Sequence, residues 1–192
     1  LAFLESNGLL DTQEADLSQR ALERGMKSLG TLGSGNHFLE LQTVGSVVDE
    51  ATAAAWGLYE DQIVAMIHSG SRGLGHQVCT DHVRQLEASY KQQEGMWVNE
   101  KWGYALPDRQ LASAPVHSRE GQAYLDSMNA AANFAFANRA VLAERLRTVL
   151  KLEMGVDGEA TTLYDVAHNI AKMETHVAVS YTHLRAHETT EH

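Results

Sequence analysis

The strongest constraint on the fold is a single long helical pattern in the second half of the chain. Ser118 is a suitable N-cap, and Tyr124, Met128, Ala131, Ala135, Leu142, Leu146 and Val149 then recur at spacings of three, four or seven. The pattern predicts one helix to about Leu152, ended by Gly155-Val156-Asp157-Gly158. So long a helix leaves only short elements for the rest of the chain.

Those elements are mixed. Leu17 to Leu29 reads as a helix with Leu17, Ala21, Leu22 and Met26 on one face. Gly30-Thr31-Leu32-Gly33-Ser34-Gly35 breaks it, and Asn36 to Val44 alternates as a strand does, with His37, Leu39 and Leu41 on one face and Phe38 and Glu40 on the other. Ala51 to Trp56 fits a short helical turn. The apolar run from Gln62 to His68 is short and followed by glycine, which favours a buried strand. A helix is expected from about Leu74 to Gln92, an irregular excursion from Gly95 to Pro115, and an extended segment or strand from Leu163 to Met173. Without regular βαβ spacing, the fold class is α+β.

Composition bounds the function. A formal net charge of −10 argues against blanket electrostatic binding of nucleic acid, although 15 Lys and Arg could still form a local basic groove. The single cysteine, Cys79, excludes an internal disulfide framework and suits a reducing compartment, so a cytoplasmic location is expected. No apolar run approaches a membrane span, and Leu1-Ala2-Phe3-Leu4 is too short for a signal sequence, which reads as a chain caught mid-protein.

Three stretches set a histidine beside groups that suit a phosphate: Gly33-Ser34-Gly35-Asn36-His37-Phe38-Leu39-Glu40, His68-Ser69-Gly70-Ser71-Arg72-Gly73-Leu74-Gly75, and Asp165-Val166-Ala167-His168-Asn169-Ile170-Ala171-Lys172. Neutral imidazole is a common ligand of divalent transition metals, and three can form an open catalytic site. The amides of Ser69 to Gly73 suit an oxyanion, and Arg72 offers a guanidinium for phosphate. The same features also describe hydrogen-bonded structural histidines and ordinary glycine turns. Neither a GxGxxG after a strand nor a Walker lysine motif is present. On spacing alone, both readings stay open.

Four blocks in order go further: Leu29 to Glu40, Ile67 to Val78, Ala131-Ala132-Asn133-Phe134-Ala135-Phe136-Ala137-Asn138-Arg139, and Tyr164 to Lys172. Together they closely resemble the RtcB family of RNA ligases, over roughly residues 1 to 175. The resemblance implies a GTP- and manganese-dependent ligase of tRNA splicing and RNA repair, joining a 2′,3′-cyclic phosphate or 3′-phosphate end to a 5′-hydroxyl end. In such enzymes a histidine is guanylylated, GMP passes to the RNA 3′-phosphate, and the 5′-hydroxyl displaces it. By position His37, His68 and His168 match manganese ligands and are expected to converge. Asn36, Phe38, Glu40 and Asn169 match residues around the guanine nucleotide. Arg72 falls in a loop suited to an RNA or nucleotide phosphate. RNA and GTP are the implied partners, with no membrane, and the need for an activating protein partner is left open.

The chain also departs from the family pattern. The family's metal-binding Asp and Cys have no matching pair in residues 1 to 35, and Cys79 stands in the wrong place to replace the thiolate. The guanylylated histidine is expected downstream of this chain, so no catalytic residue is assigned, and the chain reads as an internal fragment inactive by itself. Residues 1–176 are read as a partial catalytic core and 177–192 as a disordered tail foreign to the family.

Two other functions fit the residues. A three-histidine metal-dependent hydrolase would use a metal-bound hydroxide without GTP, and a non-catalytic RNA- or phosphate-binding remnant would show no turnover. His76, Cys79 and His82 fall at helical steps of three, but the outer two diverge by about 120° and are read as packed or solvent-facing rather than as a metal site. Tyr124, Phe134 and Phe136 are read as core, and His117 as surface.

Overall fold

The long helix forms with the limits its sequence sets. In the computed structural model, which describes residues 4–155 and 160–172, helix α4 runs Arg119–Met154 over 36 residues, about 54 Å. The Ser118 hydroxyl accepts from the Gly121 amide at 3.0 Å and donates to the Pro115 carbonyl at 2.7 Å, fixing where the chain enters the helix. Gly155 closes the other end in the left-handed conformation, its amide returning to the Leu150 carbonyl. Ala131, Ala135 and Leu142 of the periodic set are buried, whereas Val149 is exposed.

Two shorter helices pack along this spine. Helix α1 spans Gln19–Ser28, capped by Ser18, whose hydroxyl accepts from Ala21 and donates to Asp81 on the third helix. After β1 (Phe38–Thr43), α2 (Glu50–Ala55) and β2 (Ile63–His68), helix α3 spans Arg72–Ala88. The core between α1, α3 and α4 is Ala21, Leu74, Val78 and Ala131, with Leu17 and Phe134 packed against it. Ala21, Gly25 and Ala131 are small, so the helices approach closely. At Gly25 even a methyl group would stand 2.9 Å from Leu74 Cδ1.

Strands β1 and β2 form an antiparallel two-stranded ribbon with Phe38 opposite His68, Glu40 opposite Met66 and Gln42 opposite Val64. Directly opposed residues share a face, so Phe38, Glu40 and His68 lie on one side of the ribbon. The predicted strand limits shift here: β1 begins at Phe38, so Asn36 and His37 lie in the loop before it. The apolar β2 run is not buried, with Ile63 67% exposed, and among the described residues no third strand joins the ribbon. An apolar run tells of a strand but not of what packs on it.

The excursion expected from Gly95 to Pro115 is largely ordered. Strands β3 (Lys91–Gln93), β4 (Met96–Asn99) and β5 (Tyr104–Leu106) make an antiparallel meander. Its first turn is Glu94-Gly95, both residues with positive φ, the geometry of a two-residue hairpin turn. Arg109 lies over the Trp97 ring, and the buried Asn99 donates to Ser89 Oγ at 2.8 Å, tying the meander to the end of α3. Helices and small antiparallel sheets in this sequence make the fold α+β. The segment expected to extend from Leu163 forms one parallel bridge, Leu4 with Asp165, within the described residues. Residues 177–192 lie outside them. No helix among the described residues is long and apolar enough to cross a membrane.

Candidate functional site

The two glycine-rich loops meet over the middle of α4, and one side chain joins them. Asn138, fully buried, accepts from the Gly30 amide at 2.6 Å and the Thr31 amide at 3.2 Å. Its Nδ2 donates to the Thr31 carbonyl at 3.1 Å, Ser69 Oγ at 3.1 Å and the Gly70 carbonyl at 3.3 Å. Ser69 Oγ in turn donates to the Leu32 carbonyl at 2.7 Å. A buried amide that spends both its ends on backbone groups replaces the secondary structure these loops lack. Gly30 is part of the fit: its φ is +72°, and Val141 and Arg145 close over the place a side chain would take.

This scaffold sets three histidines side by side. His68 ends β2, His37 precedes β1, and their ring centroids are 5.8 Å apart. His168, in the coil after Asp165, brings its ring to 5.1 Å from His68. His37 Nδ1 lies 2.8 Å from the Ser34 carbonyl. A carbonyl only accepts, so Nδ1 carries the proton and the neutral ring keeps its lone pair on Nε2. Burial, then the neighbouring His168 and His37, then Arg139 push His68 below the usual imidazole value, favouring its neutral form.

Two imidazoles sharing one ion, with metal–nitrogen bonds of about 2.1 Å, hold their ring centroids roughly 4.5–6 Å apart. Both ring spacings in the cluster match that, and neutral imidazole suits a divalent transition ion. Among the described residues, however, no group of three or more His, Cys, Asp or Glu side chains is arranged to hold an ion. The cluster is thus two close pairs sharing His68, a fitting donor set that is not a closed cage.

Around the cluster, Phe38 sets its ring edge-on to His68 at 5.2 Å. Glu40 is exposed on the same ribbon face and accepts from Gln42 at 3.0 Å. Asn36 and Asn169 are exposed beside His37 and His168. Arg72, expected in the loop, is instead the first residue of α3 and has φ of 51°, a strained backbone for a long side chain. This turns its guanidinium back onto Gly33, where any Cβ would collide with Arg72 Nη1 and Cζ. The helix therefore starts two residues earlier than its apolar pattern indicates. His37, His68, His168, Phe38 and Arg72 all border the same junction of loops.

Two residues that support this region, Arg139 and Asp165, stand within the quoted sequence blocks but are given no role there. Arg139 Nε donates to Asp165 Oδ1 at 2.6 Å, and Nη1 donates to the Ser69 carbonyl at 3.1 Å. Asp165 is pushed above the usual carboxylate value by burial, with Arg139 pulling it back. The available signal was the polar pair Asn138-Arg139 interrupting an otherwise apolar helix face. Glu5 also fastens the His168 segment, accepting from the Ala167 amide at 2.8 Å and from Lys172 Nζ.

The rejected candidates stay apart. His76 and Cys79 face solvent, while His82 is buried, its Nε2 3.2 Å from the Asp16 carbonyl and its ring 5.4 Å from Tyr124. Phe136 is buried, Phe134 packs against the core, and His117 is exposed.

Comparison with known proteins identifies the family. A family model described as tRNA-splicing ligase RtcB matches residues 1–185. The RNA-splicing ligase RtcB of Mycobacterium bovis is 52% identical over 173 residues, which is 90% of this chain and 38% of that protein. The tRNA-splicing ligase RtcB of Thermococcus kodakarensis is 48% identical over 181 residues, 92% of this chain and 36% of its own. That of Methanocaldococcus jannaschii is 47% identical over 182 residues, 92% of this chain and 18% of its own. The chain thus spans well under half the length of these relatives. With both the model and the relatives covering nearly all of its residues, the chain belongs to the tRNA-splicing ligase RtcB family.

Proposed function

We propose that this chain supplies part of the metal and guanine-nucleotide centre of an RNA ligase. The reaction joins a 2′,3′-cyclic phosphate or 3′-phosphate RNA end to a 5′-hydroxyl end, with Mn²⁺ and GTP, in tRNA splicing and RNA repair in the cytoplasm. The observation that carries this reading is the meeting of His37, His68 and His168 over two glycine-rich loops in a chain of this family.

In this reading His37 Nε2, His68 and His168 are ion ligands, with His37 held in its ligating tautomer by Ser34. A bound divalent ion would neutralise phosphate charge and polarise the phosphorus under attack. The chain's own groups do the rest. Arg72, braced on Gly33, orients a phosphate with its guanidinium. Phe38 and Glu40 line the ribbon face beside His68, offering an apolar ring and an acceptor to a guanine, whose ring N–H and exocyclic amino group are donors. Asn36 and Asn169 are exposed next to His37 and His168 and offer amide groups to the same nucleotide.

Grafting residues 1–172 of this chain into the matched stretch of the Mycobacterium bovis relative tests the reading. The chimaera should join 3′-phosphate and 5′-hydroxyl RNA ends only with Mn²⁺ and GTP, and His68→Ala in it should abolish joining. A folded chimaera that joins no RNA, or that joins equally well with His68→Ala, overturns the reading.

A further inference from the structure

We infer that Arg139 is a positioning residue that sets the spacing of His68 and His168 by tying their two chain segments to one guanidinium. The inference rests on the proposed role of these histidines as ion ligands. His68 and His168 lie a hundred residues apart in sequence and belong to different elements, a strand end and a coil. Arg139 on α4 reaches both. Nη1 holds the carbonyl of Ser69, one peptide beyond His68, and Nε holds the carboxylate of Asp165, three residues before His168. Each tether acts within three residues of its histidine.

That plane is itself fixed. The Arg139 Cζ sits 4.9 Å from the centre of the Phe136 ring, and the Arg139 side chain is 12% exposed. Its neighbour Asn138 pins Ser69 and Gly70 from the same turn of helix. The arrangement has a cost: Arg139 Nη2 is buried with no hydrogen-bond partner among the described residues. A lysine would neutralise Asp165 without burying that extra N–H. What the guanidinium adds is a second donor at a fixed angle to the first, which an ammonium on a flexible stem cannot reproduce.

The test compares Arg139→Lys, Arg139→Met and Asp165→Asn in the 192-residue chain. With histidine rings isotopically labelled and no metal present, the unaltered chain should show a nuclear Overhauser contact between the His68 and His168 rings. Arg139→Lys and Arg139→Met should lose it while the helical circular dichroism of α4 persists. Co²⁺ affinity, read from its visible absorption, should drop about tenfold or more in both variants, as is usual when groups orienting a ligand are removed. If Arg139→Met fails to fold, Asp165→Asn decides, since it weakens only one tether and should loosen the same ring contact. A ring contact and Co²⁺ affinity unchanged in the folded variants overturn the inference. Co²⁺ binding that survives His68→Ala would instead sink the ligand reading, with the metal-free ring contact still judging Arg139.

Discussion

His68 and His168 face each other across the cluster, but the chain fastens them by different means. Behind His68 lies a buried, mostly uncharged network: Asn138 and Ser69 bridging loop carbonyls and amides, on a helix held by close packing. Behind His168 lie ionic contacts: Arg139 with Asp165, and Glu5 with Lys172 and the Ala167 amide. Neutral buried hydrogen bonds are insensitive to salt and costly to break singly, because each orphaned partner stays buried. Ionic contacts respond to salt and pH, the more exposed Glu5–Lys172 pair more than the largely buried Arg139–Asp165 pair. The difference predicts a rigid side and an adjustable side to one site.

The largest effect should come from the neutral side. Asn138→Ala strands the Gly30 and Thr31 amides and the Thr31 and Gly70 carbonyls, and should cost about 3 kcal/mol, or roughly 10 °C in melting temperature. Asn129→Ala, which removes one exposed bond to the Asp11 carbonyl from the same helix, should cost about 1 kcal/mol or less. Equal losses in the two variants would mean that Asn138 is not the keystone of the loops.

Next in size is Gly33→Ala. A side chain there meets the Arg72 guanidinium in a backbone with φ of +114°, so about 1–2 kcal/mol should be lost. The displaced Arg72 should also lose its contact with Thr31 Oγ1, visible as an altered guanidinium signal in NMR. A variant as stable as the parent, with that signal unmoved, would show that the close approach is not needed.

These residues also show what the sequence could reveal. The limits of α4 were legible because they rest on local chemistry: Ser118 caps where expected and Gly155 ends the helix, whereas α3, expected to reach Gln92, stops at Ala88 before the strand at Lys91–Gln93. The histidine stretches were legible because glycine next to a strand end marks a turn. The meander was not, since its turn is Glu94-Gly95 rather than the Asn-Gly or Asp-Gly that signals such a hairpin. Nor was the exposure of β2, because Ile63 to Ile67 have the same composition whether or not anything covers them. The supports of the site were hidden for a further reason. Asn138, Arg139 and Asp165 act on partners 26 to 108 positions away, and no spacing rule links a helical amide to a distant loop. Reading α4 for apolar periodicity passed over the polar residues that make it a scaffold.

On the ionic side the effects should be smaller and dependent on conditions. Glu5→Gln keeps a group that can accept from the Ala167 amide but loses the charge facing Lys172. Both partners are about a quarter exposed, so the loss should be about 1 kcal/mol or less. Hydrogen exchange at the Ala167 amide should quicken in the variant at low salt, and the gap between variant and parent should narrow at 1 M NaCl. A gap independent of salt would make this contact a packing effect rather than an ionic one.

The smallest effect decides whether the ionic side is stabilising at all. Burial raises the Asp165 carboxyl above its ordinary value although Arg139 pulls the other way, so desolvation outweighs the guanidinium. A carboxyl raised in the folded chain binds its proton more tightly folded than unfolded. Its titration then contributes stability that is fully present below the unfolded value of about 3.9 and is lost as pH rises through the folded value. At neutral pH the Arg139–Asp165 pair would therefore add less to stability than its 2.6 Å contact suggests, and its role would be to orient the segment bearing His168. Following the Asp165 carboxyl carbon by NMR between pH 2 and 7 should give a midpoint above that of an ordinary aspartate. A midpoint below it would mean that the guanidinium prevails over burial. The two sides of the site would then differ in their response to salt but not in the sign of their contribution to stability.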